Sequence, residues 1–304
     1  MKLILVFITF IFGLSSCYKV DEPNNTQKPG DLQTYGSGNY TFTWSPQQDD
    51  RPVNVYYYVP SNSNSSSQVL IYFHGAGRDA FPSREVLKAL AEEKSCILLV
   101  PEFSSTFFPG SNNYNLGGVF VDGEDPNPND LLPEERWTFS LIEPLFKDAQ
   151  LRFGYDAQEF DAFGHSAGAQ FLHRLLLFKP HLTIDRAVIN AAGWYSMPDK
   201  SIDYPYGMGA TPISESDVQQ LFSKNLRVSV GSADIDPNSF NLRHTIQADQ
   251  QGDNRLERSQ YFYQNSGSLA QNAGSAFNWT YSTWPGVGHD RDASAEFVFD
   301  LLYP

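Results

Sequence analysis

The junction Gly164-His165-Ser166-Ala167-Gly168 constrains this chain more than any other stretch. An apolar strand pattern over residues 159–163 runs into it, and a helix pattern over 167–178 leaves it with Phe171, Leu172, Leu175 and Leu176 on one face. The glycines allow a sharp turn and close backbone approach, and the strain of such a turn holds a serine hydroxyl out of the sheet. A strand that turns straight into a packed helix belongs to a layered α/β architecture.

The rest of the chain repeats that alternation. Residues 40–44 and 53–59 read as opening strands, antiparallel to one another. Short apolar strands are predicted over 69–73 and 97–100, the second stopped by Pro101, with a helix over 83–93 between them. Further strands are expected at 186–189, 226–230 and 277–283, and further helices at 137–153 and 293–302. This pattern indicates a mostly parallel central sheet with helices on both faces, in which reactive residues gather beyond the carboxyl ends of strands. Residues 103–133, rich in Gly, Pro, Asn and Asp, form a long loop whose Phe107, Phe108, Tyr114 and Phe120 are candidates for a wall or lid over the serine.

Ser166 is the candidate nucleophile, and a serine hydroxyl needs a base. His289, in Pro285-Gly286-Val287-Gly288-His289 directly after the last strand, is the histidine best placed to serve. His165 is expected to point away from its neighbour, His173 and His181 belong to the following helix and its end, and no strand precedes His244. The carboxylate that orients the imidazole is expected after the strand at 226–230, where Asp234 lies nearer the strand end and Asp236 is the alternative. A tetrahedral oxyanion needs two preorganised N–H donors. Ala167 supplies one, and Ala76 in His74-Gly75-Ala76-Gly77 is chosen for the other, with Gly75 and Gly77 as neighbours able to replace it.

Taken together, these motifs resemble the α/β-hydrolase superfamily over residues 52–304, and within it secreted esterases of the feruloyl esterase and polyhydroxyalkanoate depolymerase-like kind. The resemblance implies an α/β-hydrolase fold with a sheet of about eight strands, no cofactor or metal, and a covalent acyl-enzyme on Ser166 during cleavage of an ester, polymer- or glycan-linked esters included. A serine peptidase uses the same triad, and a non-catalytic lipoprotein that captures glycans or polymers would keep the same fold; the complete set of triad residues favours the esterase. Trp194 and Tyr195, after the strand at 186–189, are candidates to line the substrate pocket. Residues 251–258, with Arg255 and Arg258 among acids, read as a solvated helix with ion pairs.

Composition excludes one class of partner. The chain sets 21 Lys and Arg against 35 Asp and Glu, a net charge of −14, whereas nucleic acid binding needs cations to replace the counterions of phosphates. Ahead of the folded part, Met1-Lys2 and the apolar run Leu3 to Phe12 fit a secretory signal, being too short for the roughly 20 apolar residues of a membrane span. Leu14-Ser15-Ser16-Cys17 resembles the bacterial lipoprotein cleavage box. The expected organisation is a signal peptide at 1–16, a flexible tether at 17–38 lipidated on Cys17, and one catalytic domain at 39–304, held at the bacterial cell envelope. Cys96, in the apolar stretch 96–100, is expected to be a small core hydrophobe.

Overall fold

Val-Leu-Ile-Tyr-Phe, the five residues of strand β3 (Val69–Phe73), are all buried, as a strand must be when both faces of its sheet are covered. Val69, Ile71 and Phe73 face one core and Leu70 and Tyr72 the other, the period of two that a strand imposes. The computed structural model that gives this arrangement describes residues 35–304. The expected signal peptide, Cys17 and the tether up to residue 34 lie outside the described residues.

Eight strands form one sheet in the order β1-β2-β4-β3-β5-β6-β7-β8. They are β1 (Gly36–Trp44), β2 (Arg51–Val59), β3, β4 (Ile97–Glu102), β5 (Phe160–His165), β6 (Ile184–Asn190), β7 (Asn225–Gly231) and β8 (Thr280–Trp284). The β1–β2 and β2–β4 pairs are antiparallel and the other pairs parallel. Helices α1 (Ala80–Lys94) and α2 (Ile142–Phe153) precede β5, and α3 (Ala167–Phe178) follows it. Then come α4 (Glu215–Phe222), the short α5 (Ile246–Asp249), α6 (Arg255–Asn272) and α7 (Arg291–Leu302). Leu87 of α1 and Val298 of α7 join the Leu70 and Tyr72 core; Phe146 of α2, Phe171 of α3, Leu221 of α4 and Phe262 of α6 join the opposite one. This is the α/β-hydrolase architecture, mostly parallel with helices on both faces.

Several expectations shift. β1 starts at Gly36, so residues 36–38 belong to the sheet and not to the tether; a Cβ on Gly38 would lie 2.2 Å from the Tyr57 hydroxyl oxygen, so this glycine permits close contact between strands. β4 runs through Pro101 to Glu102, because its pairing with β3 ends at Leu99 and only β2 continues beside it. A 3-10 turn, Thr138–Leu141, precedes α2 where one continuous helix was expected, and β8 begins at Thr280 rather than at residue 277. Phe108, Tyr114 and Phe120 are buried and Tyr114 stacks on Phe103 and Phe171, so the aromatics of the long loop extend the core and form no lid; of the four, only Phe107 is exposed. Cys96 is buried, and burial pushes its thiol up to about 12, which keeps it protonated.

Candidate active site

Strand order reverses at β3, whose neighbours β4 and β5 lead to opposite edges of the sheet. Ligands in open α/β sheets bind beyond the carboxyl ends of strands at such a point. Ser166 occupies it, between β5 and α3, with φ 56° and ψ −117°, a strained conformation for a residue with a side chain. The flanking glycines allow this. A Cβ on Gly164 would come within 2.4 Å of the Gly168 carbonyl oxygen, and one on Gly168 within 1.9 Å of the Phe73 carbonyl oxygen. Helix and strand therefore cross at backbone contact, and the serine side chain is left facing outward.

The loops after β7 and β8 bring the partners. His289 Nε2 lies 3.1 Å from Ser166 Oγ, and His289 Nδ1 lies 2.8 Å from Asp234 Oδ2. With Nδ1–H donating to the carboxylate, Nε2 is left to accept from the serine. Asp234 is buried, and its other oxygen faces Arg255 Nη1 at 3.5 Å. Asp236 is exposed and accepts instead from the backbone N–H of Asn238. The chain Ser166–His289–Asp234 thus comes together and Asp236 stays outside it.

The loop after β3 borders the serine: a Cβ on Gly75 would be 3.9 Å from Ser166 Cβ. Ala76 is exposed beside it, and Ala167 opens α3 with its N–H among those a helix leaves without internal partners. His74 fixes this loop from below. Its Nδ1–H donates to the Gly75 carbonyl, its Nε2 accepts from the Phe103 N–H, and its own carbonyl accepts from the Tyr114 hydroxyl. Arg78 donates to the carbonyls of Phe103, Phe108 and Gly110 and lies over the Tyr114 ring, so the long loop is stapled to the glycine loop. These supports left no signal in the sequence beyond their proximity to the Gly-Ala-Gly turn.

A cavity of about 430 Å³ opens above Ser166. Gly75, His165 and His289 line it near the serine; Asp79, Arg291 and Asp292 form a charged edge, with Arg291 bonded to both acids at 2.6 Å. His165 does not point away as expected, since its ring lies against that of His289 with centroids 4.8 Å apart. Trp194 and Tyr195 are corrections too. Tyr195 is fully buried and stacks on Phe262, while Trp194 packs against the guanidinium groups of Arg174 and Arg243; neither lines the cavity. Arg255 and Arg258, expected on a solvated face, are buried. Arg258 donates to the carbonyls of Gly193, Arg243 and Gly252, tying the loops after β6 and β7 to α6. Among the described residues no cluster of three His, Cys, Asp or Glu could hold a metal ion, and no helix is long and apolar enough to cross a membrane.

A nucleophile elbow on a mostly parallel sheet defines a hydrolase of the α/β class. Neither a family model nor a curated protein sequence matches the chain. Among solved structures it is similar to poly(aspartic acid) hydrolase-1 from Sphingomonas sp. KT-1, at 33% identity over 89% of this chain and 99% of that one, with a TM-score of 0.83. A poly(3-hydroxybutyrate) depolymerase from Bordetella parapertussis follows at 26% identity, covering 88% and 90% with a TM-score of 0.79. An S-formylglutathione hydrolase from Agrobacterium tumefaciens, at 14% identity over 88% and 94% with a TM-score of 0.52, shares the fold. The chain belongs to the α/β-hydrolase esterase family, and it is a hydrolase.

Proposed function

We propose that this protein cleaves carboxylic esters through a Ser166–His289–Asp234 triad and an acyl-enzyme. His289 Nε2 takes the hydroxyl proton as Ser166 Oγ bonds to the carbonyl carbon. The carbonyl oxygen becomes an oxyanion, held by the N–H groups of Ala167 and Ala76. The C–O bond to the alcohol then breaks, and His289 returns the proton to the departing oxygen. In the second half His289 takes a proton from water, the resulting hydroxide attacks the acyl carbon, and Ser166 leaves with its proton restored. Asp234 holds the Nδ1–H tautomer and stabilises the imidazolium.

The observation that carries this reading is the unbroken run from hydroxyl to imidazole to carboxylate, at 3.1 and 2.8 Å, built from three distant loops. Ser166→Ala is expected to reduce hydrolysis of a short p-nitrophenyl ester by at least about 1,000-fold with the fold intact; a variant that keeps wild-type turnover would end the proposal.

A second reading concerns the bond cleaved. The similar proteins are named for poly(aspartic acid), a chain of amides, and poly(3-hydroxybutyrate), a chain of esters. Polymer substrates of either kind are therefore candidates, and kcat/KM on matched esters and amides separates an esterase from a peptidase-like enzyme.

Lipidation of Cys17 and residence at the cell envelope complete the proposal. They are supported by the apolar run Leu3 to Phe12 and the small residues just before Cys17. Cys17→Ala is expected to move the enzyme from the membrane to the soluble fraction.

A further inference from the structure

Asn190 ends β6 and is fully buried beside the nucleophile, where its carbonyl accepts from the Ser166 N–H at 3.0 Å. Its side-chain Oδ1 accepts from Trp284 Nε1–H at 3.0 Å and from the Ser229 hydroxyl at 3.0 Å. An indole N–H can only donate, so the amide atom facing it must be the oxygen. The amide nitrogen then faces His165 Nδ1 at 2.9 Å. An amide nitrogen also only donates, so Nδ1 accepts and the ring proton of His165 sits on Nε2. Trp284, on a distant strand, thereby dictates the tautomer of the residue next to the nucleophile.

His165 is 6% exposed, and its ring is inclined by 31° to that of His289. The proton transfers between Ser166, His289 and Asp234 do not use it. Yet His289 gains a proton in each half of the reaction, and what lies against its face matters then. A neutral ring accommodates an imidazolium; a second imidazolium would repel it. The titratable and charged groups around His165 are His289, Arg291 of α7 and Arg255 of α6, with Tyr72 of β3 and the carboxylates of Asp79, Asp290 and Asp292 lining the same cavity. Burial first, and then the neighbouring His289, Arg291 and Arg255, hold its pKa well below the usual histidine range.

We propose that His165 is a positioning residue for His289: Asn190 locks it as the neutral Nε2–H tautomer, and its ring is the surface on which the base rests as it takes up the proton. This rests on the triad reading above.

The test is kinetics on a p-nitrophenyl ester between about pH 5 and about pH 9. Asn190→Asp puts a carboxylate beside His165 Nδ1 and so favours a charged ring. Its acid limb of kcat should move to higher pH, with activity at the acid end lowered on the order of 100-fold and recovering toward the alkaline end. His165→Ala should lower kcat about 10-fold with KM within about twofold, and His165→Phe, which restores a neutral ring, should regain most of that loss. An Asn190→Asp profile that overlays the wild type, a His165→Ala enzyme with undiminished kcat, or a Phe variant no better than Ala would each overturn the proposal. If thermal melts show that the His165 variants have lost the fold, the Asn190→Asp profile decides alone. Ser166→Ala separates the two readings. Activity in that variant defeats the triad itself, whereas an inactive Ser166→Ala beside wild-type behaviour in Asn190→Asp defeats the positioning role only.

Discussion

At the residue scale, the two carboxylates after β7 make opposite predictions. Asp234 is enclosed between His289 and Arg255, whereas Asp236 faces solvent and caps a turn. Asp234→Asn removes the acceptor that fixes the His289 tautomer, and kcat should fall on the order of 10,000-fold; Asp236→Asn should stay within about twofold. Rates for the pair on one ester settle the matter, and equal losses would contradict the assignment. The meeting of Ser166, His289 and Asp234 is legible because each lies at or a few residues beyond the end of a strand that the sequence marks. The same rule makes Trp194 a candidate for the pocket, but position after a strand does not determine which way a side chain turns. Buried Arg174 and the ion-paired Arg243 both lie over its ring. The contact of His165 with His289 depends on where the loop after β8 lands, and no local pattern encodes that.

At the scale of elements, the crossing of α3 over β3 sets the geometry of the serine. Gly168→Ala would drive a methyl group into the Phe73 carbonyl, so the helix must shift. The expected outcome is a loss of about 1–3 kcal/mol in urea unfolding together with a reduced kcat, because the same shift moves Ser166. An unchanged midpoint and rate would show that the crossing is looser than these distances imply. Helix α3 is legible in the sequence because Phe171, Leu172, Leu175 and Leu176 recur at helical spacing on one face. The sequence shows no helical period over α4, and of α6 only the start, within residues 251–258, reads as a helix and a solvated one, since both carry many polar residues. In α6 Arg255 and Arg258 lie inside, where backbone carbonyls and the carboxylates of Asp234 and Asp249 meet their guanidinium groups, Arg255 Nε excepted. Burial of a charged side chain with its partners supplied by loops from elsewhere leaves no periodic trace.

For the molecule as a whole, the buried histidines link stability to pH. Burial pushes His74 down to about 4 and holds His165 and His173 well below the usual range. Each stays neutral in the fold while the unfolded chain takes up a proton near pH 6.5. Their stabilisation is therefore complete above that pH and is lost as pH falls toward the folded values, on the order of 3 kcal/mol for His74 alone. Asp148 and Asp161, raised by burial, act in the opposite sense. His74→Gln isolates the histidine contribution. Its stability deficit against wild type should shrink between about pH 7 and about pH 4, and a deficit that does not change would refute the linkage. The triad itself is tested most directly by mass spectrometry of the protein treated with a fluorophosphonate. A single adduct on the peptide bearing Ser166, lost in His289→Ala, is the predicted result; an adduct on another residue, or none from protein that still hydrolyses esters, would contradict the account.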